Sequence, residues 1–66
     1  MKEYLFESLD RVKGLNDYEL LVCDEGVKLF LRDSKGVVIG TQVWCGLTNY
    51  GVYELLDCLD EYFDKD

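Results

Sequence analysis

Apolar residues recur with helical spacing at the two ends of this chain and alternate as in strands through its middle. From Val52, the residues Leu55, Leu56, Leu59, Tyr62 and Phe63 follow at i+3, i+4, i+7, i+10 and i+11, the stripe of a helix buried along one side. Gly46 to Asn49 turns the chain into that helix, and Thr48 or Asn49 is its expected N-cap. At the other end Leu5, Leu9 and Val12, with Phe6 alongside, predict a helix over residues 2–13, with Gly14 placed for a left-handed residue beyond its end. Between the helices lie three strand-like runs, Tyr18 to Cys23, Val27 to Arg32 and Val37 to Cys45. They are separated by Asp24-Glu25-Gly26 and Asp33-Ser34-Lys35-Gly36, turns that each end in a glycine and suit a type I turn closed by a left-handed residue. Two tight hairpins in succession make an antiparallel meander. The expected fold is α+β in the order αβββα, one small domain over residues 1–66.

Side-chain alternation divides the sheet into two faces. In the second run Val27, Leu29 and Leu31 share one face, while Lys28, Phe30 and Arg32 share the other. The side carrying Val27, Leu29, Leu31, Ile39 and Val43 is expected to receive the helices. If both helices cover it, Leu21, Phe30, Val38 and Trp44 face solvent amid Lys28, Arg32 and Gln42. An apolar patch with a polar rim marks a contact surface, for a homodimer or for another partner. One helix on each face would instead bury the patch as core.

Charge adds a second candidate surface. Between Glu54 and Asp66 stand six carboxylates and one lysine. Glu54, Asp57, Glu61 and Asp64 fall at i, i+3, i+7 and i+10 of the predicted helix, with Asp60 beside them. At about 1.5 Å rise per residue they span about 15 Å, about one charge every 5 Å. Phosphates along a DNA strand fall about every 3.4 Å, so the two charge lines are of similar density. A solvated helix face normally mixes signs and gains from ion pairs four residues apart. Here like charges repel, and acids in the last turn face the negative end of the helix dipole.

The whole chain carries 14 acidic and 7 basic residues, a formal charge of −7 over 66 residues. That excess argues against direct contact with nucleic acid or an anionic membrane and for a basic protein partner. No stretch is apolar enough to cross a bilayer, and Met1 to Arg11 lacks the apolar run of a signal peptide, so a cytoplasmic location is expected. Three cysteines at spacings of 22 and 13 fit a reducing compartment rather than a disulfide framework. Cys23 and Cys58 read as small apolar residues, and Cys45 as a half-buried strand end.

Catalytic constellations are not evident. The chain has no histidine, and Ser8, Ser34, Thr41 and Thr48 have no base at motif spacing. The six glycines form no phosphate-binding loop, and the acidic segment lacks the glycine of a calcium loop. No enzyme, cofactor or metal is expected. Trp44-Cys45-Gly46-Leu47-Thr48 resembles the Trp-Cys-Gly-Pro-Cys loop of thioredoxins, which also follows a strand and opens a helix. Leu47 and Thr48 stand where that family has its proline and its second cysteine, and the later cis-proline is missing.

In size, acidity and αβββα order the chain resembles the small inhibitors that bacteriophages and mobile elements encode, among them anti-CRISPR proteins and other DNA mimics. The resemblance implies a protein that occupies the basic nucleic-acid channel of a nuclease. Glu54, Asp57, Asp60, Glu61 and Asp64 would then stand in for phosphates, with Asp66 extending the row. Tyr50 or Tyr53 would stack on arginine at the rim.

Overall fold

The computed structural model describes residues 2–64. It contains helix α1 (Lys2–Asp10), strands β1 (Asp17–Cys23), β2 (Gly26–Arg32) and β3 (Val38–Cys45), and helix α2 (Asn49–Phe63). The strands form one antiparallel sheet in the order β1-β2-β3. The fold is α+β with the expected αβββα order.

Local chemistry sets most boundaries. Thr48 is the N-cap of α2, its extended backbone letting Oγ1 accept from the Gly51 amide at 3.2 Å. In the β2–β3 turn, Asp33 Oδ1 accepts from the amides of Lys35 and Val37, both at 2.9 Å, and Gly36 closes the turn at φ +82°. Helix α1 ends three residues earlier than its apolar pattern suggests. The amides of Arg11 and Val12 bond three residues back, at 3.3 and 3.1 Å, which tightens the last turn. Val12 and Leu15 still pack on the core from that turn, which is why the spacing reads as helix. Gly26 departs from expectation in another way. It is not left-handed but is the first residue of β2, joined to β1 by the two-residue turn Asp24-Glu25. Its glycine is demanded by crowding, since a Cβ would lie 2.3 Å from the Trp44 carbonyl oxygen.

The sheet register decides which residues face the helices, and it corrects one expectation. A regular β2–β3 hairpin that pairs Arg32 with Val38 would place Ile39, Thr41 and Val43 opposite Leu31, Leu29 and Val27. Arg32 does pair with Val38, but Leu31 pairs with Gly40, Leu29 with Gln42 and Val27 with Trp44. A β-bulge at Ile39 supplies the extra residue, and one extra residue exchanges the faces of everything beyond it. Trp44 and Gln42 therefore stand on the helix side, and Val43 and Thr41 on the open side. Trp44 packs half-buried against the core and is not part of the exposed patch assigned to it from alternation. Its larger apolar surface gains more from that position than Val43 would. Gln42 is satisfied there by donating to Ser8 Oγ of α1 at 2.9 Å.

Both helices lie on one face. The buried core consists of Leu5 and Leu9 from α1, Val27, Leu29 and Leu31 from β2, and Leu55, Cys58 and Leu59 from α2. The Ser8–Gln42 bond holds α1 over β3, while Phe63 stacks on Tyr18 of β1 with ring centroids 5.0 Å apart. Helix α2 thus runs over the β1 side. Between the helices Phe6 meets Tyr62 edge-to-face at 5.2 Å. The result is two layers, with the second face of the sheet uncovered.

Candidate functional site

The outer surface of the helical layer is acidic. Glu3, Glu7 and Asp10 on α1, and Glu54, Asp57, Asp60 and Glu61 on α2, are all exposed, as is Asp64, which caps the end of α2. The apolar stripe of α2 faces inward and fixes this arrangement, because the same 3.6-residue period that buries Leu55 and Leu59 turns the acids outward. Asp64 leaves helical geometry, yet its amide still donates to the Asp60 carbonyl at 2.9 Å, so it continues the row. Asp66, which would extend the row further, lies outside the described residues.

Tertiary contacts modify the row in ways that spacing does not reveal. Lys2 of α1 reaches Glu61 at 2.7 Å, and this partner raises the lysine above its ordinary value. Arg11 pairs with Glu7 at 2.7 Å. Lys2 and Arg11 are thus both engaged with acids of the layer, while Lys13, just beyond Arg11, forms no ion pair among the described residues. Asp10 accepts from the Tyr62 hydroxyl at 2.7 Å; burial and then this bond push Tyr62 up to about 12. On the far side of α2, Asp60 lies close to Tyr18, whose hydroxyl is held above its ordinary value by burial first and by Asp60 second. Glu54, Asp57 and Asp64 form no ion pair among the described residues. Tyr50 and Tyr53, expected at the rim, are exposed at the start of α2.

The open face of the sheet is the second candidate. Leu21, Val38 and Val43 are 48%, 50% and 56% exposed on it, around a half-buried Phe30. Val38 belongs to this face because the bulge leaves it opposite Arg32. Val43 occupies the place that alternation assigned to Trp44. Charge on this face is balanced locally: Arg32 donates to Asp17 at 2.9 Å and to Glu19 at 3.3 Å. Leu21, Phe30 and Val38 are therefore brought together, and Trp44 is not among them.

The cysteines divide differently from expectation. Cys58 is buried under α2, and burial followed by the nearby Glu54 carboxylate pushes its thiol up. Cys23 and Cys45 are exposed and unpaired; Cys23 Sγ donates to the Gly26 carbonyl at 3.3 Å. A cleft of about 360 Å³ opens between the β1–β2 turn and the start of α2, lined by Val22, Val27, Leu47 and Val52 together with Asp24 and Glu25. Among the described residues no group of three or more His, Cys, Asp and Glu side chains could hold a metal ion, and no helix is long and apolar enough to cross a membrane.

The spacing of the C-terminal run marks Glu54, Asp57, Asp60, Glu61 and the capping Asp64 as outward, whereas the acids of α1 stand out less. Glu3, Glu7 and Asp10 recur at i, i+4 and i+7, a signal that was present and is dwarfed by the denser C-terminal run. None of the known protein families, curated proteins or solved structures matches this chain.

Proposed function

We propose that this chain is a non-enzymatic binding protein that occupies a cationic, nucleic-acid-binding surface of another protein. Its acidic helical layer stands where phosphates would. The observation that carries the reading is the segregation of charge: Glu3, Glu7, Asp10, Glu54, Asp57, Asp60, Glu61 and Asp64 share one layer, where Lys2 and Arg11 are already paired within it. A layer of that kind offers a partner carboxylates in excess of cations, eight acids against Lys2, Arg11 and Lys13 among the described residues. The partner class is the basic channel of a nuclease or other nucleic-acid enzyme, CRISPR nucleases included, and the consequence of binding is exclusion of the enzyme's substrate. The test is salt dependence against such an enzyme. Affinity should fall steeply between about 50 and 200 mM salt, and Glu54→Lys with Asp57→Lys should abolish inhibition. Flat affinity across that interval, or inhibition intact in the charge-reversed variant, would sink the reading.

A second reading is favoured by the uncovered sheet. Leu21, Phe30, Val38 and Val43 form an apolar surface on which acid plays no part, as in an interaction module. Leu21→Lys should then abolish partner capture, while the reversed α2 acids leave it intact.

A further inference from the structure

The two edges of the sheet are unlike. The β1 edge carries Asp17 and Glu19, charges of the kind that keep free edges from pairing with other chains. The β3 edge carries none: residues 36 to 53 include no charged side chain, in a chain that is 32% charged. Strand β3 is also rich in β-branched residues, with Val38, Ile39, Thr41 and Val43 all exposed. Among the described residues, the turn, loop and cap backbone hydrogen bonds involve none of residues 38–45, so the outward amides and carbonyls of β3 are unpaired by the chain's own backbone. The bulge at Ile39 twists only the start of the strand. From Gly40 to Cys45 the edge is regular and open.

We infer that a second copy of this chain adds antiparallel to β3, joining two three-stranded sheets into one of six strands. Three observations favour a second copy over a foreign segment. First, an uncharged strand can pair with itself about a two-fold axis without opposing like charges. Directly opposed residues must share a face, so each allowed register sets one residue against its own copy. With Gln42 at the axis, Thr41 faces the partner's Val43 on the open side, and Gly40 faces the partner's Trp44 on the helix side. That second pair lets an aromatic ring cover an edge glycine. Second, α1 lies over β3 and presents Tyr4, 73% exposed, on the stripe Tyr4, Ser8 and Arg11 whose middle residue is bonded to Gln42. A bare peptide would leave Tyr4 in water, whereas a second copy brings its own α1 beside it.

Third, the charge of −7 per chain lies away from the seam: α1 and the turn after it, which meet there, carry Glu3, Glu7 and Asp10 against Lys2, Arg11 and Lys13. Helix α2 lies over β1, so five strand spacings separate the two β1 strands and their α2 ridges, about 24 Å at about 4.8 Å per spacing. That is about three Debye lengths at physiological salt. The assembly also closes. Its two outer edges are both β1, guarded by Asp17 and Glu19, so growth stops at two copies.

Sedimentation equilibrium of the chain, from about 10 μM to 1 mM, should show mass rising toward twice 7.7 kDa. Hydrogen exchange should show the outward β3 amides gaining protection over the same range. Thr41→Lys with Val43→Lys, two exposed positions, should remain monomeric at every concentration with an unchanged circular dichroism spectrum. Leu21→Lys, on the same face but on β1, should still dimerise. The inference is overturned by a monomer mass at the highest concentration, or by a dimer that Leu21→Lys abolishes and the double lysine variant keeps. It is equally overturned if β3 amides become protected only when another protein is added. Should the double variant unfold, the mass and exchange of the unaltered chain decide alone.

Discussion

The helical layer and the open face of the sheet belong to one chain of 66 residues and have opposite characters. On the helical layer, acids crowd together and the nearby cations answer only Glu61 and Glu7. On the open face, Arg32 answers both Asp17 and Glu19, and the remaining surface is largely aliphatic. The difference shows where the fold tolerates unbalanced charge. Repulsion between neighbouring acids costs a few tenths of a kcal/mol per pair, and an acid in the last turn costs about 0.3 to 1 kcal/mol. Burying one leucine side chain gains about 1.5 to 3 kcal/mol. Helix α2 buries Leu55, Leu59 and Cys58, so it outweighs the charge it carries. The sheet has no such anchor on its open side, and its two acids share Arg32, with Lys28 on the same face.

That account can be broken most forcefully at the anchor. Leu55 is 0% exposed, and Leu55→Ala should destabilise the chain by about 2–5 kcal/mol. For a domain this small that is most of its stability, so urea unfolding followed by circular dichroism should show a largely unfolded population. A transition that scarcely moves would mean the acidic layer is held by something other than this core. A smaller effect should follow from the cap. Thr48→Ala deprives the Gly51 amide of its acceptor and should cost about 0.5–2 kcal/mol in the same measurement, with Thr48→Asn restoring most of it. Retained stability in the alanine variant would place the ordering of α2 in its packing alone.

The smallest effect has the opposite sign. Glu54→Gln, Asp57→Asn and Asp64→Asn together should raise stability by about 1 kcal/mol at low salt, as repulsion and the unfavourable dipole contact are relieved. The gain should fade at high salt, where screening has already removed the repulsion. A loss of stability would show that these acids have structural partners, and the contrast between the two faces would disappear. Stability that rises while binding falls is the signature of acids kept for a partner.

The sequence by itself determined the order of elements, because each depends on neighbours in the chain: the i, i+3, i+4 stripe of α2, the Thr48 cap, and the Asp33 turn closed by Gly36. It also determined the outward row of acids, since burying Leu55 and Leu59 leaves Glu54, Asp57 and Glu61 no other side. Only the tertiary structure decided which face Trp44 takes. A single bulged residue at Ile39 exchanges the faces of the strand beyond it, which sets Trp44 opposite Val27 and against the core, a long-range outcome that alternation along the strand does not reveal. The Lys2–Glu61 pair was equally out of reach, since it joins residues 59 positions apart and exists only because the two helices share a layer. Period and turn chemistry are short-range and legible along the chain; register and charge pairing are long-range and fixed only when the layers close.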